Sequence, residues 1–242
     1  MEEAIEIVAT TNRREDPMRD QWPWVAGVLV TVSVVGGLVW FDSRDTNPVT
    51  TSVPTELAIV TKNDWVEGNP NGPVTIIEYS DFQCPACGAY YPIIKQVLKQ
   101  RGEQVRFVYR HLPLPTIHTH ALTSAQAAQA AGKQGKFFEM HDQLFEGQGT
   151  WSTQKDPSET YQGYARAIGL DLDRFNRDRE SDEVKQAVLD DQLAAERAGF
   201  QSTPTFLLDG VKIENPKSLD AFLTLIDTQL TAPAAATPGA TP

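Results

Sequence analysis

Cysteine is scarce: Cys84 and Cys87 are the only two in 242 residues. Two thiols in a single motif cannot form a broader disulfide framework; they are compatible with an oxidising compartment without proving one. Basic residues are also in deficit, 21 against 32 acidic ones, for a formal net charge of −11. That balance excludes nucleic acid as the expected partner, because phosphates require a basic surface. There is no glycine-rich phosphate loop, no G-x-S-x-G elbow and no paired-carboxylate site. The four histidines include His118-x-His120, with His111 and His141 elsewhere. No carboxylate is arranged among them in a zinc pattern, so neither a metal nor another cofactor is expected. The length suits one domain of ordinary size plus appendages.

What is present is organised around Ser80-Asp81-Phe82-Gln83-Cys84-Pro85-Ala86-Cys87-Gly88. Val74–Tyr79 before it is almost continuously apolar and reads as a central strand, and Tyr90–Leu98 after it reads as a helix. Pro85 falls in the first helical turn, where its missing N–H costs nothing, whereas Pro92 should kink the helix. Two thiols at a helix start can close a small disulfide ring, and the positive end of the helix dipole favours thiolate on the outer one. Cys84 is therefore the candidate nucleophile and Cys87, one turn further in, the resolving thiol. Half a zinc site or a purely structural disulfide are the alternatives, although no second C-x-x-C exists. Glu78 is the odd residue in its apolar strand, and a carboxylate reaching solvent at the strand end is its plain reading.

Residues 1–21, with six acidic and three basic residues, read as a small tail. Residues 22–41 are twenty uncharged positions flanked by Trp22, Trp24, Trp40 and Phe41. As a helix they would span about 30 Å, one hydrocarbon core, which predicts a transmembrane helix. A cleaved signal peptide is the competing reading, weakened by the length and by the lack of a small-x-small site. Arg13, Arg14 and Arg19 precede the segment and only Arg44 follows closely. That bias predicts a cytoplasmic N-terminus and an extracytoplasmic C-terminal part. Residues 42–60, with Pro48 and Pro54, read as a linker.

Beyond the motif, Val105–Arg110 alternates as a second strand, parallel to the first if the intervening helix is a crossover. Helical periodicity then runs from about 119 to 198, beginning with an alanine-rich stretch. It continues through Tyr161–Ile168 closed by Gly169, Leu170–Asp178, and Asp182–Ala198 capped by Ser181. Thr205–Leu208, Asp209-Gly210 and Val211–Ile213 read as a hairpin. Asn215 is expected to cap, and Pro216 to open, a last helix. Residues 231–242 contain only Thr, Ala, Pro and Gly and should be disordered.

Phe82-x-Cys84-Pro85-x-Cys87 after such a strand resembles the thioredoxin superfamily, and within it the DsbA-like extracytoplasmic thiol–disulfide oxidoreductases. Tyr109-Arg110-His111-Leu112-Pro113-Leu114, Gln134–Asp142 and Thr203-Pro204-Thr205-Phe206 are similar to further motifs of that family. The resemblance covers about residues 60 to 230. It implies an α/β, thioredoxin-like fold over 61–230 with a mostly helical insertion at about 112–198. It also implies a cis Pro204 facing the dithiol, with Thr203 offering backbone to an extended substrate, and a Glu78 that relays protons to Cys87. An ordinary loop proline at a strand start is the alternative for Pro204. The chain departs from the most oxidising members at Ala86, where they carry His.

The function expected is a membrane-anchored, extracytoplasmic enzyme that introduces disulfides into exported proteins bearing cysteine thiols, reoxidised by a membrane redox partner. The alternatives are a dithiol reductase for a dedicated client, or a peptide-binding chaperone module with secondary redox activity.

Overall fold

The computed structural model describes residues 53–231. Its central strand, β2 (Val74–Ser80), is buried along its whole length, as a strand covered on both faces must be. The period-2 alternation of a strand sends Val74 and Ile76 into the larger core and Ile77 and Tyr79 into a smaller one on the other face. Four more strands complete the sheet: β1 (Trp65–Gly68), β3 (Val105–His111), β4 (Thr205–Leu208) and β5 (Val211–Lys212). The order is β1-β3-β2-β4-β5. Only β2 and β3 pair in parallel, and the other three pairings are antiparallel. The sheet is thus mixed and open, a thioredoxin-like α/β core.

A four-residue helix, α1 (Thr55–Ala58), precedes the sheet, and α2 (Pro85–Arg101) crosses between β2 and β3. Between β3 and β4 lies the helical insertion: α3 (Ala121–Gly132), α4 (Phe137–Glu146), α5 (Gln148–Trp151), α6 (Ser158–Ala167), α7 (Leu172–Glu180) and α8 (Asp182–Arg197). α9 (Leu219–Thr231) closes the described chain. Alanine dominates α3 because it is buried nearly all round, with Ala127, Ala128, Ala130 and Ala131 all at 0 % exposure. Asp171 and Ser181 cap α7 and α8 by accepting the N–H of Arg174 and Val184. Asp209 and Gly210 both take positive φ, 48° and 81°, which a two-residue I′ hairpin turn requires.

α2 continues past Pro92 to Arg101. Two other expectations are corrected. β1 was not expected; its Trp65 stacks on Phe137 with ring centroids 4.6 Å apart and donates Nε1–H to Gln129 Oε1 at 2.7 Å. α9 begins at Leu219, where Ser218 Oγ accepts the Ala221 N–H, rather than at an Asn215 cap.

The membrane-anchored reading is corrected as well. Among the described residues no helix is long and apolar enough to cross a membrane. The longest, α2, has 17 residues and carries Lys95, Lys99 and Arg101. At 1.5 Å per residue it covers about 25 Å, short of a hydrocarbon core of about 30 Å. The expected span 22–41 lies outside the described residues, as do the tail 1–21 and positions 232–242. The single-pass topology, with its cytoplasmic N-terminus and extracytoplasmic domain, depended on that anchor and falls with it.

Part of the stretch read as a linker is built into the fold. Leu57 is 4 % exposed, and the Arg110 guanidinium fastens its surroundings to the sheet. Arg110 donates to the carbonyls of Leu57 and Ile59, each at 2.7 Å, to Tyr79 Oη at 2.8 Å, and to both Asp64 oxygens at 2.6 and 3.0 Å. Both members of the ion pair are buried, with side chains 7 % and 6 % exposed. Removing one partner strands the other charge in a low dielectric, so Asp64→Ala should lose about 3–5 kcal/mol in urea denaturation. A loss below about 1 kcal/mol, the range of a surface pair, would show that the N-terminal segment is not held this way.

Candidate active site

β2 ends at Ser80, and Asp81–Gln83 turn the chain so that Cys84 is the N-cap of α2, with φ −68° and ψ 121°, and Pro85 opens the helix. This places the two sulfurs in unequal surroundings. Cys84 keeps 7 % exposure and Cys87 has none; both are free thiols. Pro85 and Ala86 between them are exposed.

The Cys84 thiol is pulled down to about 5. Its hydrogen bond with the Cys87 thiol is the main cause; burial opposes it, and Thr203 and the backbone N–H groups of Cys87 and Ala86 add to it. Cys87 is pushed well above its ordinary value, by burial first and then by its bond to Cys84 and the charge of Glu78. The first thiol of the motif is thus poised as thiolate and the second is held protonated.

Thr203–Pro204 is a cis peptide, and the Thr203 carbonyl lies 3.5 Å from Cys84 Sγ. The Thr203 hydroxyl is buried without a partner among the described residues. Asn215, expected as a helix cap, instead donates Nδ2–H to the Pro204 carbonyl at 2.7 Å and ties down this loop. Glu78 is 3 % exposed, so it does not reach solvent. Burial lifts it to about 7, the Ser80 hydrogen bond opposing and the Cys84 charge assisting.

Residues that sequence reasoning missed hold the loop in place. Asp81 Oδ1 accepts the Gln83 N–H, while its Oδ2 accepts the Leu114 N–H at 3.0 Å and meets His118 Nδ1 at 2.8 Å. Gln83 Oε1 accepts the His120 N–H at 2.6 Å, and its Nε2 donates to the Ser152 carbonyl. Gln148 of α5 donates to the carbonyls of both Phe82 and Cys84, at 2.7 and 2.9 Å. A Cβ at position 88 would lie 2.5 Å from Gln148 Oε1, so Gly88 is what lets this latch approach. No local sequence signal marks Gln148. His118 and His120 are committed apart, the latter to the Gln154 carbonyl at 2.7 Å. Among the described residues no three metal-ligating side chains gather.

Residues 60–228 match the family described as Thioredoxin. A Na(+)/H(+) antiporter NhaA 1 from Mycobacterium sp. (strain KMS) is 35% identical over 208 residues, covering 84% of this chain but 33% of the antiporter. The chain therefore spans about a third of the length of such relatives, and antiport is said of them alone. Among solved structures, alpha-DsbA1 of Wolbachia pipientis superposes with a TM-score of 0.65 at 23% identity, covering 74% of this chain and 96% of that one. A thioredoxin-like oxidoreductase from Silicibacter pomeroyi DSS-3 gives 0.60 at 27% identity, covering 72% and 95%. The first likeness shows the fold alone.

Titrating thiolate absorbance in the reduced protein should give a midpoint near pH 5, moving up toward the ordinary value of 9 in Cys87→Ala. The linkage sign follows: the folded state holds the Cys84 proton less tightly than the unfolded chain. The reduced form therefore gains stability as pH rises from about 5 toward 9, and loses it as pH falls through about 5. A midpoint of 8 to 9 in the intact pair, the range of a free cysteine, would contradict the geometry.

Proposed function

The chain belongs to the thioredoxin family, and on that premise we propose that it is a DsbA-like thiol–disulfide oxidoreductase that transfers disulfides to client proteins through Cys84 and Cys87. The observation that carries this reading is the unequal burial of the two sulfurs, 7 % against 0 % exposure. The catalytic unit is assigned to residues 61–230.

In the oxidised enzyme a client thiolate attacks Cys84 Sγ, the Cys84–Cys87 bond breaks, and Cys87 leaves with the electron pair. A second client thiolate then attacks the client sulfur of the mixed disulfide and expels Cys84 as thiolate. The client gains a disulfide and the enzyme retains two electrons as the reduced dithiol. One feature supports this direction. A thiolate held near 5 is a good leaving group and stabilises the reduced enzyme, which makes the disulfide more oxidising. That stabilisation speaks against the dithiol reductase reading. Cys87, sealed from water, needs an internal proton as it leaves, and Glu78 at about 7 is the acid in place to supply it.

Clients are proteins bearing cysteine thiols. A segment joined to Cys84 lies alongside the Thr203 carbonyl, 3.5 Å from the sulfur, where an extended backbone can pair in strand fashion.

Mixing Cys87→Ser protein with a reduced, unfolded client in the presence of a mild oxidant should trap a mixed disulfide at Cys84, identified by mass spectrometry. Cys84→Ser should trap none, and only the wild type should restore activity to the client. Adducts forming on Cys87 but never on Cys84 would reverse the roles. Client reactivation equally well without either thiol would favour a peptide-binding module over an enzyme.

A further inference from the structure

Beneath the dithiol, β2 and β3 set polar side chains on the same face as the buried Cys87. The parallel register pairs Glu78 with Tyr109 and Ser80 with His111. Ser80 Oγ donates to Glu78 Oε1 at 2.7 Å. The Tyr109 hydroxyl is buried and has no hydrogen-bond partner among the described residues. Its ring is clamped, stacked on Phe82 at 5.0 Å and met edge-on by His141 at 5.1 Å, so the hydroxyl cannot swing out to water. An orphaned hydroxyl in such a place is destabilising, and a phenylalanine would pack as well without that cost. The charges that reach this hydroxyl are those of Cys87, Glu78 and Asp81, with the Ser80 hydroxyl beside it.

We propose that Ser80 and Tyr109 carry the proton that passes from Glu78 to the Cys87 sulfur. This rests on the reading above that Cys87 departs as a buried thiolate and Glu78 is its acid. Serine suits the task because its hydroxyl can reverse. Beside a carboxylate, Ser80 donates to Glu78; once Glu78 carries a proton, Ser80 accepts it and its own hydrogen is free to turn toward Tyr109. The orphaned phenol then has Ser80 as a donor and, in the developing Cys87 thiolate, the strongest of the charges that reach it. In one concerted shift the Tyr109 O–H proton goes to Cys87, the Ser80 proton to Tyr109, and the Glu78 proton to Ser80. The balance closes: Cys87 becomes a thiol, Glu78 a carboxylate, and both hydroxyls end as they began. Run backwards, the same chain deprotonates Cys87 when the dithiol is reoxidised.

Neither nearby histidine supplies a competing cationic acid. From the loop and α2 the titratable groups facing the cluster are Cys84, Asp81 and Tyr90. His111 of β3 is pushed down to about 4 by burial, and His141 of α4 is lowered by the same cause, so both are neutral at pH 7. β4 brings Phe206 opposite Glu78, and α9 adds Phe222 behind it.

The test measures the rate at which dithiothreitol reduces the oxidised protein from pH 5 to 9, scaled to the reductant's own thiolate fraction. Wild type should show a step near pH 7 that Glu78→Gln removes. Tyr109→Phe, which keeps the ring stacking, and Ser80→Ala should each remove the same step and slow the reaction about tenfold at pH 6, below the usual general-acid contribution of 10²–10⁴. Ser80→Thr should restore both. Tyr109→Phe combined with Glu78→Gln should be no slower than Glu78→Gln alone. A Tyr109→Phe protein that keeps the wild-type rate and step while Glu78→Gln loses them would overturn the relay but leave the acid. Uniform slowing at every pH with the step retained would reduce both hydroxyls to packing and overturn it too. A step that survives Glu78→Gln would overturn the acid's role, and no exchange by wild type would overturn the activity itself.

Discussion

Two sulfurs one helical turn apart differ in their reach to solvent, Cys84 keeping a small exposed edge and Cys87 none, and the rest of the domain depends on keeping that difference. A helix start supplies it. Its free N–H groups and dipole favour charge on the N-cap sulfur, while the next turn is already inside the core. Cys84 is that N-cap and Cys87 belongs to the interior turn. Burial then pushes the thiols apart in acidity, because a charge placed on Cys87 would have to be held without water. The fully buried β2 strand aims the junction, and α2 packs across the sheet to hold its other end.

Holding a loop that follows a buried strand is a problem of backbone hydrogen bonds, since its peptide groups cannot all be given to water. The helical insertion solves it. Asp81, Gln83 and Gln148 satisfy N–H groups and carbonyls on both sides of the motif, and each of these bonds joins the motif loop to a segment that follows β3. The insertion is therefore the frame that fixes where Cys84 points. Asn215 plays the same part for the Thr203–Pro204 loop on the opposite wall.

Much of this was readable in the sequence because it is local. The thiol spacing, the apolar β2, the Pro85 helix start, the alanine-rich α3, the Ser181 cap and the Asp209-Gly210 turn each carry their signal within a few residues. What was not readable is long-range. Gln148 lies 64 residues from the Cys84 carbonyl it binds, and Arg110 is 46 from Asp64; nothing near either position announces a partner. Asn215 was misread for the same reason: an asparagine before a proline is a good cap in isolation, but tertiary contact claimed its amide first. Residues 22–41 have the length and apolarity of a membrane span, but they lie outside the described residues, and no helix within those residues can take that role.

Ala86 leaves the Cys84 thiolate to the Cys87 thiol, Thr203 and the backbone N–H groups of the helix start, since an exposed methyl offers it no charge. The reduction potential of the Cys84–Cys87 pair, measured by glutathione equilibration for wild type and Ala86→His, tests this most directly. With only N–H donors and the Cys87 thiol available, the wild-type value should fall between about −120 mV, the strongest oxidants, and about −270 mV, thioredoxin. An imidazolium at position 86 should raise it, and 30 mV, about 1.4 kcal/mol for two electrons, is within reach of one charge-assisted contact. A wild-type value at about −270 mV that does not respond to Ala86→His would contradict both the electrostatic origin of the thiolate and the direction of electron flow.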